Sequence, residues 1–234
     1  MKTQRLRLRY RVLPEASGLN QRELIGVLEA AARATGLALA CSEGKRPAAQ
    51  ISLAAPLPQG VTSDGELVDL FLGERVNPNA ALEGLRPNLP PGIEPLDAAE
   101  IGVAAPSLQS QLRWAEYEAE VPLARDVDVV KVRESVASFL KAETVPFEYR
   151  RETKVRSYDL RPLVLGLWIE EQRTGCVVLG MRLRAEQELT GRADQVLLAL
   201  GLPQAQRIHR RRLHVAEGQP AVVAYRRIGE PPED

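Results

Sequence analysis

The sequence predicts an α+β protein made of two tandem ferredoxin-like (βαββαβ) domains, each an antiparallel sheet with helices on one face. Three observations lead there: strict two-residue alternation over residues 5–12, helical periodicity between Asn20 and Gly36, and recurrence of the same element order from residue 114. They predict domains at 1–104 and 114–234, joined by the linker APSLQSQLR (105–113). The second domain carries an extra hairpin and ends in a flexible acidic tail. A chain of 234 residues gives each unit enough interior for a core of its own.

RLRLRYRV (5–12) puts Leu6, Leu8, Tyr10 and Val12 on one side and Arg5, Arg7, Arg9 and Arg11 on the other. Period two means a half-buried strand with its guanidinium groups on the solvent face. Asn20 followed by Glu23 has the reciprocal spacing of a capping box. Leu24, Val27, Leu28 and Ala31 then form one helical stripe, and Gly36 is a natural stop. LALAC (37–41) reads as a short buried strand and ELVDLFL (66–72) as the next. Asn77 caps a second helix with Pro78 in its first turn, where proline costs no hydrogen bond. NLPPG (88–92) ends that helix, and IEPLDAAEI (93–101) supplies the last strand of the half.

In the second half, WAEYEAEV (114–121) alternates again, with Ala115, Tyr117, Ala119 and Val121 opposed to Trp114 and the glutamates. A helix follows with Asp128 as its cap and Val129, Val132, Val136, Phe139 and Leu140 as its buried stripe. FEYRRETKVRSYDL (147–160) reads as a hairpin turning near Glu152–Lys154, and residues 163–186 as another turning at Arg173-Thr174-Gly175. Thr190 begins a helix that runs to Leu200 and stops at Gly201, and RIHRRRLHV (207–215) is the final strand.

Composition removes several function classes. Lys plus Arg equal Asp plus Glu at 31 each, so any nucleic-acid footprint must be local rather than global. Cys41 and Cys176 lie far apart in apolar runs, which suits reduced thiols near the core rather than a disulfide or a ligand pair. The N-terminus has no apolar signal region, and no run approaches the ~18 residues of a membrane span; a cytoplasmic location follows by elimination. No phosphate-binding loop, dinucleotide fingerprint, nucleophile elbow or zinc-protease motif occurs. His209 and His214 would point to opposite faces of a regular strand with no third ligand beside them. No catalytic residue, metal or cofactor is therefore expected.

What stands out is basic. Lys154, Arg156 and Arg161 form one cluster, and Arg207, His209, Arg210, Arg211 and Arg212 form a second. The apolar phase slips between Ile208 and Leu213, which implies a bulge near the triple arginine. Guanidinium groups on a sheet face suit phosphate oxygens by charge and forked geometry. A plain solvated strand and a protein-partner surface explain the same residues. Few aromatics flank these arginines, which disfavours base stacking.

The chain also resembles the radical SAM-linked protein family, a domain encoded beside or fused to a B12-type radical SAM protein. The resemblance is carried by RLRYRV (7–12), ATGLALACSEG (34–44), ISLAAPLPQGVTSDGELVD (51–69), LPPGIEPLDAAEI (89–101), VRSYDLRPLVL (155–165) and RIHRRRLHV (207–215). It implies a radical SAM partner and chemistry on RNA. The chain departs from the family pattern at Ser17-Gly18-Leu19-Asn20 and at Gly44-Lys45-Arg46-Pro47-Ala48-Ala49, where relatives carry histidine, aspartate and phenylalanine. The segment with Asp159, Arg161 and Pro162 stays close to pattern, and a hydrogen-bonding role at a strand end explains it without a ligand. C-x-x-x-C-x-x-C is missing, so the chain does not itself hold the radical SAM cluster in the usual way.

The expected function is a non-catalytic accessory module of a radical SAM system that docks RNA phosphates through its basic clusters. Two alternatives stay open: a protein-binding subunit that stabilises the radical SAM partner, and a stand-alone RNA-processing enzyme.

Overall fold

The computed structural model describes residues 1–123, 129–151 and 154–216, and of Arg150, Arg151, Lys154 and Arg156 the main chain only. The expected helix cap Asp128, the hairpin turn at Glu152 and the acidic tail lie outside the described residues.

Among the described residues ten strands and five helices follow one another. The first half holds β1 (Gln4–Val12), α1 (Gln21–Ala34), β2 (Ile51–Leu53), β3 (Val61–Leu72), α2 (Pro78–Leu85) and β4 (Ile93–Ile101). After the short α3 (Leu108–Gln111) come β5 (Leu112–Pro122), α4 (Val129–Lys141), β6 (Pro146–Arg151) and β7 (Lys154–Asp159). The chain then forms β8 (Val164–Arg173), β9 (Cys176–Arg184), α5 (Ala193–Ala199) and β10 (Arg207–Val215). This is a mixed α+β protein with one large, mostly antiparallel sheet in the order β4-β1-β3-β10-β5-β9-β8, with β2 also on β3. β6 and β7 form a separate two-stranded ribbon.

Local signals account for most element ends. The Asn20 side chain accepts from the Arg22 and Glu23 amides at 3.0 Å, and the Glu23 carboxylate accepts from the Asn20 amide at 2.8 Å. Asn77 caps α2 in the same manner, with Pro78 at its first position. Gly36 and Gly201 take φ of +80° and +70° just beyond α1 and α5, a conformation that suits glycine.

Other expectations need correction. The second strand is Ile51–Leu53, paired with Val68–Leu70, whereas Leu39 and Cys41 of LALAC make only isolated bridges. Cys41 is consequently exposed, and Cys176 is half-buried. α5 starts at Ala193, because Thr190 is drawn into a bridge with Ala185 and its hydroxyl donates to the Glu186 carbonyl at 2.8 Å. Leu140 turns out to solvent.

Buried apolar side chains form two clusters. In one, Leu24, Leu28 and Ala31 of α1 and Leu85 of α2 pack on Leu6, Leu8 and Tyr10 of β1 and Leu70 of β3. In the other, Val132, Val136 and Phe139 of α4 and Val196 of α5 pack on the inward residues of β5 and β9. The second cluster also takes in Ala54 and Leu67 from the first half.

The arginine side of β1 is not a solvent face. Arg5 and Arg7 are each 2% exposed, with Asp69 of β3 fully buried between them. Asp69 accepts from Arg5 Nε at 2.8 Å and from Arg7 Nε at 2.7 Å, while Arg5 also donates to the Ala105 and Pro106 carbonyls. The expected linker thus folds into α3 and lies over these arginines, which is why strict alternation does not mean exposure here. Only Arg9 and Arg11 reach the surface, against Asp97 and Glu94.

Candidate functional site

β10 sits in the middle of the sheet, antiparallel to β5 and parallel to β3, where Ile208, His209 and Arg210 lie opposite Val61, Thr62 and Ser63. The inferred bulge is present, since the register with β5 shifts between Arg210 and Arg212. This placement removes two of the candidate phosphate ligands from the surface. Arg210 is 2% exposed: Nε donates to Glu66 Oε1 at 2.8 Å, Nη2 donates to Glu66 Oε2, and Nη1 donates to the Pro56 carbonyl and the Tyr117 hydroxyl, each at 3.2 Å. Burial pulls the Arg210 pKa down, but Glu66 and Tyr117 more than offset this, so the guanidinium stays charged. The same neighbourhood acts on Tyr10, whose pKa is raised well above the usual phenol value by burial and then by Glu66.

His209 is buried too, with Nδ1 2.8 Å from Thr62 Oγ1 and Nε2 3.0 Å from Asp64 Oδ2. The Asp64 carboxylate can only accept, so Nε2 donates to it. A hydroxyl, an imidazole and a carboxylate in line resemble a nucleophile relay. Thr62 is itself buried between strands, however, so the chain of bonds clamps β10 to β3.

The exposed Arg207 and Arg211 are engaged with acids, and Arg212 is half-buried. Arg207 meets Glu120 at 3.3 Å, Arg211 pairs with Glu118 and reaches Glu170 at 3.6 Å, and Arg212 is opposite Glu116 in the register. Arg161 donates to the Val164 and Leu140 carbonyls at 2.9 and 3.1 Å, and Asp159 accepts from the Val145 and Arg161 amides at 2.7 and 3.0 Å. With Pro162, whose carbonyl accepts from Arg184, these residues tie the end of α4 to β8 and β9. The side chains of Lys154 and Arg156 lie outside the described residues. The fold does bring aromatics to the arginines: the His214 ring stacks on Trp114 at 4.3 Å, and Arg182 lies 4.5 Å from the Trp114 ring.

The feature that local sequence patterns missed is a cleft of about 920 Å³ beside the β3–β10 seam. β2 pairs with the distal part of β3 and β10 with its start, so the connecting segment APLPQG (55–60) swings outward and forms one wall. Residues 185–192, α5 and residues 202–206 form the others, and Tyr117, Ile208 and Arg210 line the sheet side. Arg192 at the cleft is held by Asp194 at 3.1 Å. Its size is that of a small-ligand site, and its walls mix apolar side chains with many polar ones. Among the described residues no group of three or more His, Cys, Asp or Glu side chains could hold a metal ion.

A family model described as an uncharacterized protein conserved in bacteria (DUF2344) matches residues 5–193. The chain belongs to this family. The DUF2344 match spans β1 through the start of α5, which includes the 55–60 and 185–192 walls of the cleft and stops short of β10. No curated protein matches the chain. Similar solved structures include a Cbf5-Nop10-Gar1 complex, at 14% identity and a TM-score of 0.48, covering 88% of this chain and 48% of that one. An H/ACA RNP bound to a substrate RNA containing 2'-deoxyuridine gives 14% and 0.45, covering 87% and 47%. An archaeal box H/ACA Nop10-Cbf5 complex gives 14% and 0.45, covering 91% and 49%. The DUF2344 chain therefore spans about half the length of the solved chains it matches. Among its described residues no helix is long and apolar enough to cross a membrane.

Proposed function

We propose that this DUF2344 chain is a non-catalytic accessory module that binds RNA for a radical SAM partner in the cytoplasm, with the cleft beside the β3–β10 seam as its docking site. We further read each half as a ferredoxin-like unit. The strand orders β4-β1-β3-β2 and β10-β5-β9-β8 support that reading, because with the separate β6–β7 ribbon set aside both run fourth, first, third, second.

The observation that carries the binding role is the cleft itself, about 920 Å³ of concave surface built from residues 55–60, Tyr117 of β5 and the stretch 185–210. It replaces the basic strand as the main site, because Arg207 and Arg211 must give up Glu120 and Glu118 before they can meet a phosphate. Lys154 and Arg156 on β7 stay as candidate phosphate contacts of this proposal. Filter binding of mixed-sequence RNA at ~50 and ~200 mM salt tests it, since the slope of affinity against salt counts the phosphates contacted. Retention with a shallow slope is expected, and no retention at ~50 mM salt removes the reading. The competing role, a subunit that stabilises the radical SAM enzyme by protein contacts alone, takes its support from Leu198, which is 64% exposed at the cleft. Co-purification of that enzyme without any RNA retention would favour it.

A further inference from the structure

We propose that the floor of the cleft recognises an unpaired nucleobase, with the Tyr117 hydroxyl donating the hydrogen bond that fixes the base edge; this rests on the reading that RNA occupies the cleft.

Charge narrows the ligand first. The two arginines that line the cleft are each committed to an acid, Arg210 to Glu66 and Arg192 to Asp194. A phosphodiester placed there would have to compete for both, so the neutral part of a nucleotide is the better fit. The walls supply apolar surface from Pro56, Pro58, Leu197 and Leu202. Gln59 and Gln206 add side-chain amides, which carry a donor and an acceptor together, as base edges do.

Tyr117 supplies the direction. Its oxygen accepts from Arg210 Nη1 at 3.2 Å, and a guanidinium can only donate. The phenolic proton must therefore point away from Arg210, and among the described residues none accepts it. Tyr117 lines the cleft while being 7% exposed, so its proton is offered to whatever fills that space. Accepting from a cation makes the hydroxyl a stronger donor. A base carbonyl or ring nitrogen is the acceptor this calls for. An extended peptide fits less well, because strand addition needs an open sheet edge. At the floor β3 and β10 pair with each other, and β10 is covered by β5 on its other side.

Equilibrium dialysis of the full chain with the four ribonucleosides, ribose 5-phosphate, a blocked dipeptide amide and a labelled unstructured hexaribonucleotide tests the assignment. At least one nucleoside is expected to bind more tightly than ribose 5-phosphate. Tyr117→Phe should weaken both that nucleoside and the hexaribonucleotide about tenfold, the loss of one directed hydrogen bond. Ala205→Trp, which fills the cleft from a half-buried wall, should abolish binding of both and serves as the readout if Tyr117→Phe does not fold. A hexaribonucleotide blocked by Ala205→Trp but indifferent to Tyr117→Phe overturns the base assignment and leaves the cleft reading standing. Binding of the dipeptide amide in place of every nucleoside overturns it as well. No hexaribonucleotide binding at all takes down the RNA reading itself.

Discussion

The Arg210 guanidinium on β10 and the Glu66 carboxylate on β3 meet as a forked pair with neither side chain more than 2% exposed, joining residues 144 positions apart. Removing one partner leaves a buried, uncompensated charge, so Glu66→Leu alone should cost about 3–5 kcal/mol in urea unfolding. Joining it with Arg210→Met should recover most of that loss, because a desolvated pair contributes little net stability over apolar side chains. Additive losses in the double variant would show that the two residues do not act as a unit.

Asp69 serves two cations at once, and the buried group of Arg5, Arg7 and Asp69 keeps an excess positive charge. Asp69→Asn is therefore expected to be among the most destabilising single changes, at about 3–5 kcal/mol. Arg5→Met should cost less in charge but frees the Ala105 and Pro106 carbonyls that Arg5 holds. Limited proteolysis reads that difference: cleavage within residues 102–111 should accelerate in Arg5→Met, and an unchanged rate there would argue against the anchoring.

Tyr10 connects stability to alkaline pH. An unfolded tyrosine ionises near pH ~10, whereas burial, followed by the Glu66 charge, keeps the folded one protonated well beyond this. Above pH ~10 the unfolded chain binds fewer protons than the folded chain, so stability falls as pH rises through that window and is fully present below it. Tyr10→Phe should flatten the fall, as read from urea midpoints at pH ~9 and ~11.

Trp168 on β8 lies directly over Gly180 on β9, and a methyl group at that glycine would overlap the indole. Gly180→Ala should push the ring off the sheet and break its contact to Glu170, with a red-shifted emission and a loss of about 1–3 kcal/mol. An unshifted spectrum would mean that the ring does not rest on the glycine in solution.

Residues whose signals are local were readable before any coordinates. Asn20 and Glu23 cap α1 as their spacing says, Ala115 to Val121 alternate into the interior, and the phase slip on β10 marks a real bulge. What escaped depends on distant partners. Alternation in β1 distinguishes two faces but cannot say that residues 105–111 cover the arginine one. The triple arginine looked basic because its neighbours in sequence hold few acids, while Glu66 and Glu118 arrive from other strands. The cleft comes from residues 55–60, Tyr117 and the stretch 185–210, which are far apart in sequence, and none of them is distinctive enough alone to announce it.

The parallel seam also sets a timetable for assembly. β3 leaves the ribosome long before β10 exists, so until residues 208–210 appear the early half carries an open edge at Val61–Ser63 and a carboxylate awaiting its cation. Such late, long-distance closure slows folding, and the interval before it is when the nascent chain is most open to mispairing with a neighbour.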